Sequence, residues 1–283
     1  MKKETKRSFI QLAAAVLVNG YVLGFQKGTI FTGKSKLLCV PVLNCYSCPG
    51  ALGACPIGSL QSVMAGHKYR ISFYVLGTLM LFGLLLERAI CGFLCPFGWI
   101  QDLLYKIPVK KLKMPKKPDH YLRYLKYLVL ILLVFLLPML IRDEYGFGTT
   151  WFCKYICPAG TLGGGVPLLM KNEGLRLAIG GLFYWKSAIL IAVVVLSILI
   201  YRPFCKYLCP LGAFYAFFNK FSLYRLSIDK EKCTNCKACE RACKMNVEVT
   251  KDLNSPECIR CGACMDACPA GCIHREKLGM EEK

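Results

Sequence analysis

The sequence predicts a membrane all-α chain, four transmembrane helices in two parallel repeats, closed by a small C-terminal α+β domain. Three observations lead there. Hydrophobic residues make up 55% of the 283 residues, and the mean hydropathy of +0.43 lies above that of an ordinary soluble domain. Ahead of the cysteine-rich C-terminal run the segment Cys-Pro-x-Gly occurs four times, each copy following an apolar stretch. Eight of the 19 cysteines crowd into residues 233 to 268 in two copies of one spacing. The chain is accordingly read as a first membrane repeat over 1–110, a second over 111–225 and the cysteine-rich domain over 226–283.

The spans come first. Apolar stretches cover residues 9 to 25, 71 to 86, 121 to 141 and about 182 to 201, against the roughly 20 residues that cross hydrocarbon. The first two are slightly short, so tilt, bilayer thinning or flanking residues make up the length. Lys126 and Lys186 stand near one end of the third and fourth, where long side chains snorkel. A formal net charge of +20 would suit a nucleic-acid surface, but the charge is confined to particular loops. Lys2, Lys3, Lys6 and Arg7 open the chain, and Arg88, Lys106, Lys110, Lys111, Lys113, Lys116 and Lys117 follow the second span. Residues 142 to 181 carry only four basic residues, offset by Asp143, Glu144 and Glu173. The positive-inside rule then puts both termini in the cytoplasm of a multi-pass cell-membrane protein, and no nucleic-acid partner is expected. The N-terminal segment reads as a retained anchor, since no small-residue cleavage site follows it.

The repeat comes next. Its copies are Cys55-Pro56-Ile57-Gly58, Cys95-Pro96-Phe97-Gly98, Cys157-Pro158-Ala159-Gly160 and Cys209-Pro210-Leu211-Gly212. In the last three a second cysteine lies four residues earlier, at Cys91, Cys153 and Cys205, and Arg88 and Arg202 both stand three before their cysteine. Because a span separates successive copies, copies two and four meet on the cytoplasmic side and copies one and three on the outer side, around a pseudo-twofold along the membrane normal. Cysteines at i and i+4 share one helical face, so Cys91, Cys95, Cys205 and Cys209 offer four convergent thiolates. Cys55, Cys153, Cys157 and either Cys48 or Cys45 offer four more. Each set suits a 4Fe-4S cluster; a redox dithiol, or on the oxidising side a disulfide, is the competing reading. Arg88, Arg202, Lys154 and Lys206 beside the thiolates would raise a cluster's potential. The aromatic runs 97 to 107 and 211 to 221 read as interfacial helices. About 30 Å of hydrocarbon would separate the two sets, too far for one efficient electron step, which implies an intermediate carrier such as quinone.

The C-terminal run is the most specific signal. Cys233, Cys236, Cys239, Cys243 and then Cys258, Cys261, Cys264, Cys268 each spell C-x2-C-x2-C-x3-C, the two-cluster ferredoxin signature. Cys233, Cys236, Cys239 and Cys268 are expected on one 4Fe-4S cluster, and Cys258, Cys261, Cys264 and Cys243 on the other. A pair of zinc sites leaves the matched third and fourth cysteines unexplained. Cys39 and Cys272 fit no motif and read as free thiols. Other redox cofactors lack their motifs: there is no C-x2-C-H for haem attachment and no nucleotide-binding glycine loop. The three histidines, His67, His120 and His274, lie outside the spans. His67 near the membrane edge is the one weighed for a quinone, against a solvated loop position.

Four spans, Cys-x3-Cys-Pro motifs and the C-terminal double run together resemble the membrane polyferredoxins of the NapH type, with relatives in NosR and CcoG. The resemblance covers nearly the whole chain. It implies a quinol dehydrogenase-like electron-transfer subunit of an oxidoreductase, oxidising membrane quinol and passing electrons to partner proteins. Residues 26 to 70 are too short for the large outer flavin-bearing domain of NosR-like proteins, and the additional C-terminal domain of CcoG-like proteins is not seen. Lys244 stands where proline would follow Cys243, and the Cys45, Cys48, Cys55 arrangement also departs from the pattern. The expected function is electron exchange between a cytoplasmic ferredoxin module and the quinone pool or an outer redox partner, with quinone placed beside the Cys91 set because the aromatic helices flank it. The alternative is a redox-sensing or assembly factor for a membrane metalloenzyme.

Overall fold

The computed structural model describes residues 3–66 and 71–277, so His67 lies outside the described residues. The chain is mostly helical, and its one sheet among the described residues has two strands, Tyr224–Ile228 antiparallel to Ile273–Lys277. Among the described residues two helices are long and apolar enough to cross a membrane, Lys116–Leu140 with 25 residues and Gly181–Leu199 with 19. At 1.5 Å per residue they reach about 37 and about 28 Å. The helix over the second expected span, Phe73–Leu86, has 14 residues, or about 21 Å.

The first expected span is interrupted. Lys3–Val18 is one helix and Val22–Lys27 another. Between them the Asn19 side chain donates to the Ala15 carbonyl, closing the helix, and the Tyr21 N–H turns away to the Gly50 carbonyl. The third span is continuous, but it widens into π geometry over Leu130–Leu136 just before Pro138, a residue that supplies no N–H to the preceding turn. Both lysines of the expected spans find partners inside the protein. Lys126 is fully buried and pairs with Glu257 of the C-terminal domain, while the Lys186 ammonium donates to the Cys153 carbonyl at 3.1 Å.

The helices that follow the cysteines also differ from the interfacial expectation. Pro96–Tyr105 buries Phe97, Gln101 and Asp102, and Pro210–Ala216 is almost wholly enclosed. Gly212, Ala213 and Ala216 give the second of these a narrow surface, and it packs against the helices Leu125–Val129 and Pro56–Met64. These helices therefore form the centre of the molecule.

The C-terminal domain closes on itself because its first and last strands pair, with Ile228 opposite Ile273. Two short helices, Ala238–Ala242 and Ala263–Asp266, pack together between the strands.

Candidate metal centres

One local geometry recurs at the four Cys-Pro-x-Gly segments ahead of the C-terminal domain. Cys55, Cys95, Cys157 and Cys209 each precede a helix whose first residue is proline, and their ψ angles are 128°, 116°, 108° and 112°. Proline clashes with a helical residue before it yet fits the first helical position, so one residue ends the old helix and starts the next. The cysteine thereby becomes the helix N-cap. The amide of the glycine three residues on faces its sulfur in each copy, at 3.4 Å for Gly212 N–H and Cys209 Sγ. A capping sulfur accepts from the otherwise unpaired amides of the first turn, where the helix dipole also favours negative charge. The i, i+4 cysteines thus do not share one helical face: Cys91 and Cys205 sit inside the short helices Ala89–Phe93 and Pro203–Tyr207, and their partners lie beyond the break.

Copies two and four come together. The Cys209 thiol lies within electrostatic range of Cys205, Cys91 and Cys95. The surroundings are reciprocal. Arg88, three before Cys91, donates to the Cys205 carbonyl at 3.3 Å, and Arg202, three before Cys205, donates to the Cys91 carbonyl at 2.5 Å. Each guanidinium is fully buried and lies against the other copy's glycine: a Cβ on Gly98 would come within 3.2 Å of Arg202, and one on Gly212 within 3.5 Å of Arg88. Arg202 also forms a fork on Asp102, and Arg88 reaches Glu257 at 3.1 Å. Burial alone would raise the Asp102 carboxyl, and Arg202 outweighs it to hold that group below the usual carboxylate range. Lys206 turns away from the thiols to Asp119 at 2.5 Å.

Copies one and three come together around an open cavity of about 740 Å3 that includes Cys45, Cys55, Cys153 and Cys157 in its wall. Cys45 is the member from the first copy. Its sulfur would lie 3.6 Å from a Cβ on Gly160, whereas the Cys48 thiol points to Asn19 Oδ1 at 3.5 Å and does not line the cavity. Leu43, Ser59, Ser62, Thr150, Thr161, Phe183 and the ammonium-bearing Lys154 and Lys186 are also in the wall. Cys153 lies in a π-helical turn, Phe152–Ile156, and a second such turn, Thr161–Gly165, follows the motif.

In the C-terminal domain, one small void is lined by Cys233, Cys236, Cys239 and Cys268, and a second by Cys243, Cys258, Cys261 and Cys264. Cys272 also lines the first, its sulfur 3.3 Å from that of Cys268. Burial pushes the Cys258 thiol up to about 11 and the Cys264 thiol up to about 12. The Ala238 amide holds the exposed Cys236 thiol below its ordinary value. The buried thiols are therefore protonated at neutral pH, and loading metal onto them releases protons.

The second void sits directly on the Cys91 set. A Cβ on Gly92 would lie 2.4 Å from the carbonyl oxygen of Ile259, the residue after Cys258. Asn219 donates to the Ser255 and Cys258 carbonyls and accepts from the Arg88 N–H. Glu87 pairs with Arg260 at 2.7 Å, both fully enclosed.

Sequence reasoning missed two residues that touch sulfur. Gln101 Nε2 donates to Cys205 Sγ at 3.1 Å while its Oε1 accepts from the Phe204 N–H. Gln61 does the same to Cys153 Sγ at 3.3 Å and the Phe152 N–H. Both stand six residues after a motif cysteine, so the repeat itself held the signal.

Among the described residues no three His, Cys, Asp or Glu side chains converge on the position of a single ion; the thiols stand around voids instead. Four sulfurs, facing amides and neighbouring cations form a donor set that fits a 4Fe-4S cluster. Known proteins agree with that chemistry. A 4Fe-4S binding domain matches residues 71–115, 127–174 and 183–228, and a 4Fe-4S dicluster domain matches 225–269. An uncharacterised protein of Methanocaldococcus jannaschii is 32% identical over 65% of this chain and 70% of its own. The methylamine utilization ferredoxin-type protein MauN of Paracoccus denitrificans is 30% identical over 69% of this chain and 62% of its own. The putative electron transport protein YccM of Escherichia coli is 25% identical over 75% of this chain and 56% of its own. No solved structure matches. With its cysteine sets and these matches taken together, the chain belongs to the ferredoxin-type 4Fe-4S electron-transfer proteins, the family that also includes NapH and NosR.

Proposed function

We propose that this chain is an integral membrane electron conductor of the quinol dehydrogenase type. The cysteine sets would each hold one 4Fe-4S cluster, with Cys233, Cys236, Cys239 and Cys268 on the first and Cys243, Cys258, Cys261 and Cys264 on the second. Cys91, Cys95, Cys205 and Cys209 would hold the third, and Cys45, Cys55, Cys153 and Cys157 the fourth. A 4Fe-4S cluster supplies reversible one-electron chemistry at a potential set by charge, hydrogen bonding and exposure. The observation that carries the reading is the contact of Gly92 with the Ile259 carbonyl, which sets the ferredoxin module directly against the third set of thiols.

The exchange partner is a quinone. The cavity of about 740 Å3 walled by Cys45, Cys55, Cys153 and Cys157 exceeds what a cluster alone fills, lies in the range of about 300–1,000 Å3 that takes small organic ligands, and its hydroxyls and lysines would suit the carbonyl oxygens of a quinone seated beside the cluster. This supports the Cys45 set as the quinone site in place of the Cys91 set, whose thiols are enclosed. The helices Lys116–Leu140 and Gly181–Leu199, joined by Phe73–Leu86 and the N-terminal helix, would embed the chain with both termini in the cytoplasm.

Anaerobically purified protein is expected to carry well over eight iron atoms, at about four per cluster. The double variant Cys91→Ser, Cys205→Ser should lose about four of them and keep the signals of the C-terminal domain. A quinol analogue should reduce the clusters, and NADH should not. Iron near eight would confine the clusters to residues 226–283, and failure of every quinol and quinone to exchange electrons would sink the quinone assignment.

A further inference from the structure

The two sets of thiols outside the ferredoxin module are separated by two residues of backbone. The Leu43 amide faces the Cys95 sulfur, and the next amide, Asn44, faces the Cys55 sulfur. Consecutive amide nitrogens lie roughly 3 to 3.7 Å apart and an amide facing sulfur adds roughly 4 Å at each end, so the two sulfurs are on the order of 10 Å from one another. This overturns the expectation of about 30 Å between the sets.

The strip that separates them is fixed from both sides. Val42 and Leu43 are 2% and 3% exposed. Residues just before it are paired to the chain just before Cys55, through Val40 N–H to the Ala54 carbonyl and Ala54 N–H to the Leu38 carbonyl. From the opposite side Tyr215, fully enclosed in the helix that Cys209 caps, donates to the Pro41 carbonyl at 3.0 Å. That helix also packs against Pro56–Met64, the helix capped by Cys55. Cys55, Leu43, Tyr215, Cys91, Cys95 and Cys209 belong to one continuous core.

We infer that the Leu43–Asn44 backbone, clamped by Tyr215, couples the Cys91 set directly to the Cys45 set, so that an electron crosses between them without a mobile carrier. The inference rests on the reading that each set holds a 4Fe-4S cluster. With Cys91, Cys95, Cys205 and Cys209 holding one cluster and Cys45, Cys55, Cys153 and Cys157 the other, the groups would supply one-electron exchange, and the Leu43–Asn44 backbone and Tyr215 would hold them close enough for it. A quinone at the far end would take two such electrons, delivered one at a time, with two protons from solvent, and a quinol would return them. Quinone thus serves as a terminal partner at one end of the relay and is not needed in its middle. The two amides also serve one set each: Leu43 N–H stabilises negative charge on Cys95 and Asn44 N–H on Cys55.

The test is electron paramagnetic resonance and redox titration of the anaerobically reconstituted full chain. Iron content of the variants Cys91→Ser, Cys205→Ser and Cys55→Ser, Cys157→Ser decides first whether each set holds a cluster; a chain that keeps its iron in either variant refutes the underlying reading. With both clusters present, the spin relaxation of the Cys91-set signal should slow at least several-fold when Cys55 and Cys157 are changed. Tyr215→Phe, which keeps the ring and removes the bond to Pro41, should keep all the iron and weaken the same coupling. Leu43→Pro should lower the potential of the Cys91 set alone, and Asn44→Pro that of the Cys45 set alone. Full iron with a Cys91-set signal whose relaxation ignores the other set overturns the relay while leaving the clusters in place.

Discussion

At the four Cys-Pro-x-Gly segments of the helical body a single proline decides where a sulfur points. It forces the cysteine out of helical geometry and begins the helix whose first amides then face the thiolate. The four sulfurs are held by backbone, with the glutamines and arginines as additions specific to a pair of copies. Gln101 and Gln61 are the clearest of these, because each spans from a sulfur to a backbone N–H of the partner copy. Hydrogen bonds to sulfur raise a cluster's potential by stabilising its more negative, reduced form. Gln101→Ala is therefore expected to lower the potential of the Cys91 set only, and Gln61→Ala that of the Cys45 set only, in redox titrations followed by electron paramagnetic resonance. Each change also leaves a buried amide, Phe204 or Phe152, without its acceptor, at about 1–3 kcal/mol. Which cysteines gather could be read from spacing. Which of Cys45 and Cys48 joins the wall beside Cys55, Cys153 and Cys157 could not, because it depends on a tertiary contact, the bond from Cys48 to Asn19.

Among the elements, the seam between the ferredoxin module and the helical body depends on buried charge. Glu257 sits between Arg88 and Lys126, each of them fully enclosed, and these cations outweigh the burial that would raise its carboxyl. Removing one partner from such a group leaves uncompensated charge in a dry interior, at about 3–5 kcal/mol. Glu257→Gln should accordingly lower the melting temperature and let the C-terminal domain be clipped by protease, with Asp252→Asn on the exposed side as the neutral control. Gly92→Ala attacks the same seam sterically, since the new methyl meets a carbonyl oxygen that no rotamer change can move; overpacking of this kind costs about 1–3 kcal/mol. Its expected signature is intact iron with slower electron transfer between the module and the Cys91 set in stopped-flow reduction. Apolar patterning located the two longest helices closely. It merged Lys3–Val18 with Val22–Lys27, because the interruption comes from the Asn19 side chain and a tertiary bond from Tyr21. It also read the aromatic helices as interfacial, since a hydrophobic surface carries no mark of whether lipid or protein covers it.

For the whole molecule, duplication explains both what the sequence disclosed and what it concealed. The order of the four motifs announced that copies two and four form one pair and copies one and three another, and the reciprocal bonds of Arg88 and Arg202 have that form. The separation of the pairs was not legible, because the chain between Val22–Lys27 and Pro56–Met64 carries no periodic signal, yet its residues 42–44 are buried and lie between the two sets. Two consequences follow for the proposed membrane arrangement. The proposed relay would lie within the protein, and the basic residues after Phe73–Leu86 remain the orientation signal; among them, Lys111 donates to the Ile198 carbonyl at the end of Gly181–Leu199 that leads to Cys205. A reporter fused after Lys283 is expected to be active only in the cytoplasm, and one inserted at the exposed Lys171 only outside. Neutralising Lys110, Lys111 and Lys113 together should weaken that preference and produce chains of mixed orientation, read as protease-protected and protease-accessible fractions in sealed vesicles. Equal activity of the Lys171 reporter on the cytoplasmic side in the unaltered chain would reverse the assignment and place the ferredoxin module beyond the reach of cytoplasmic donors.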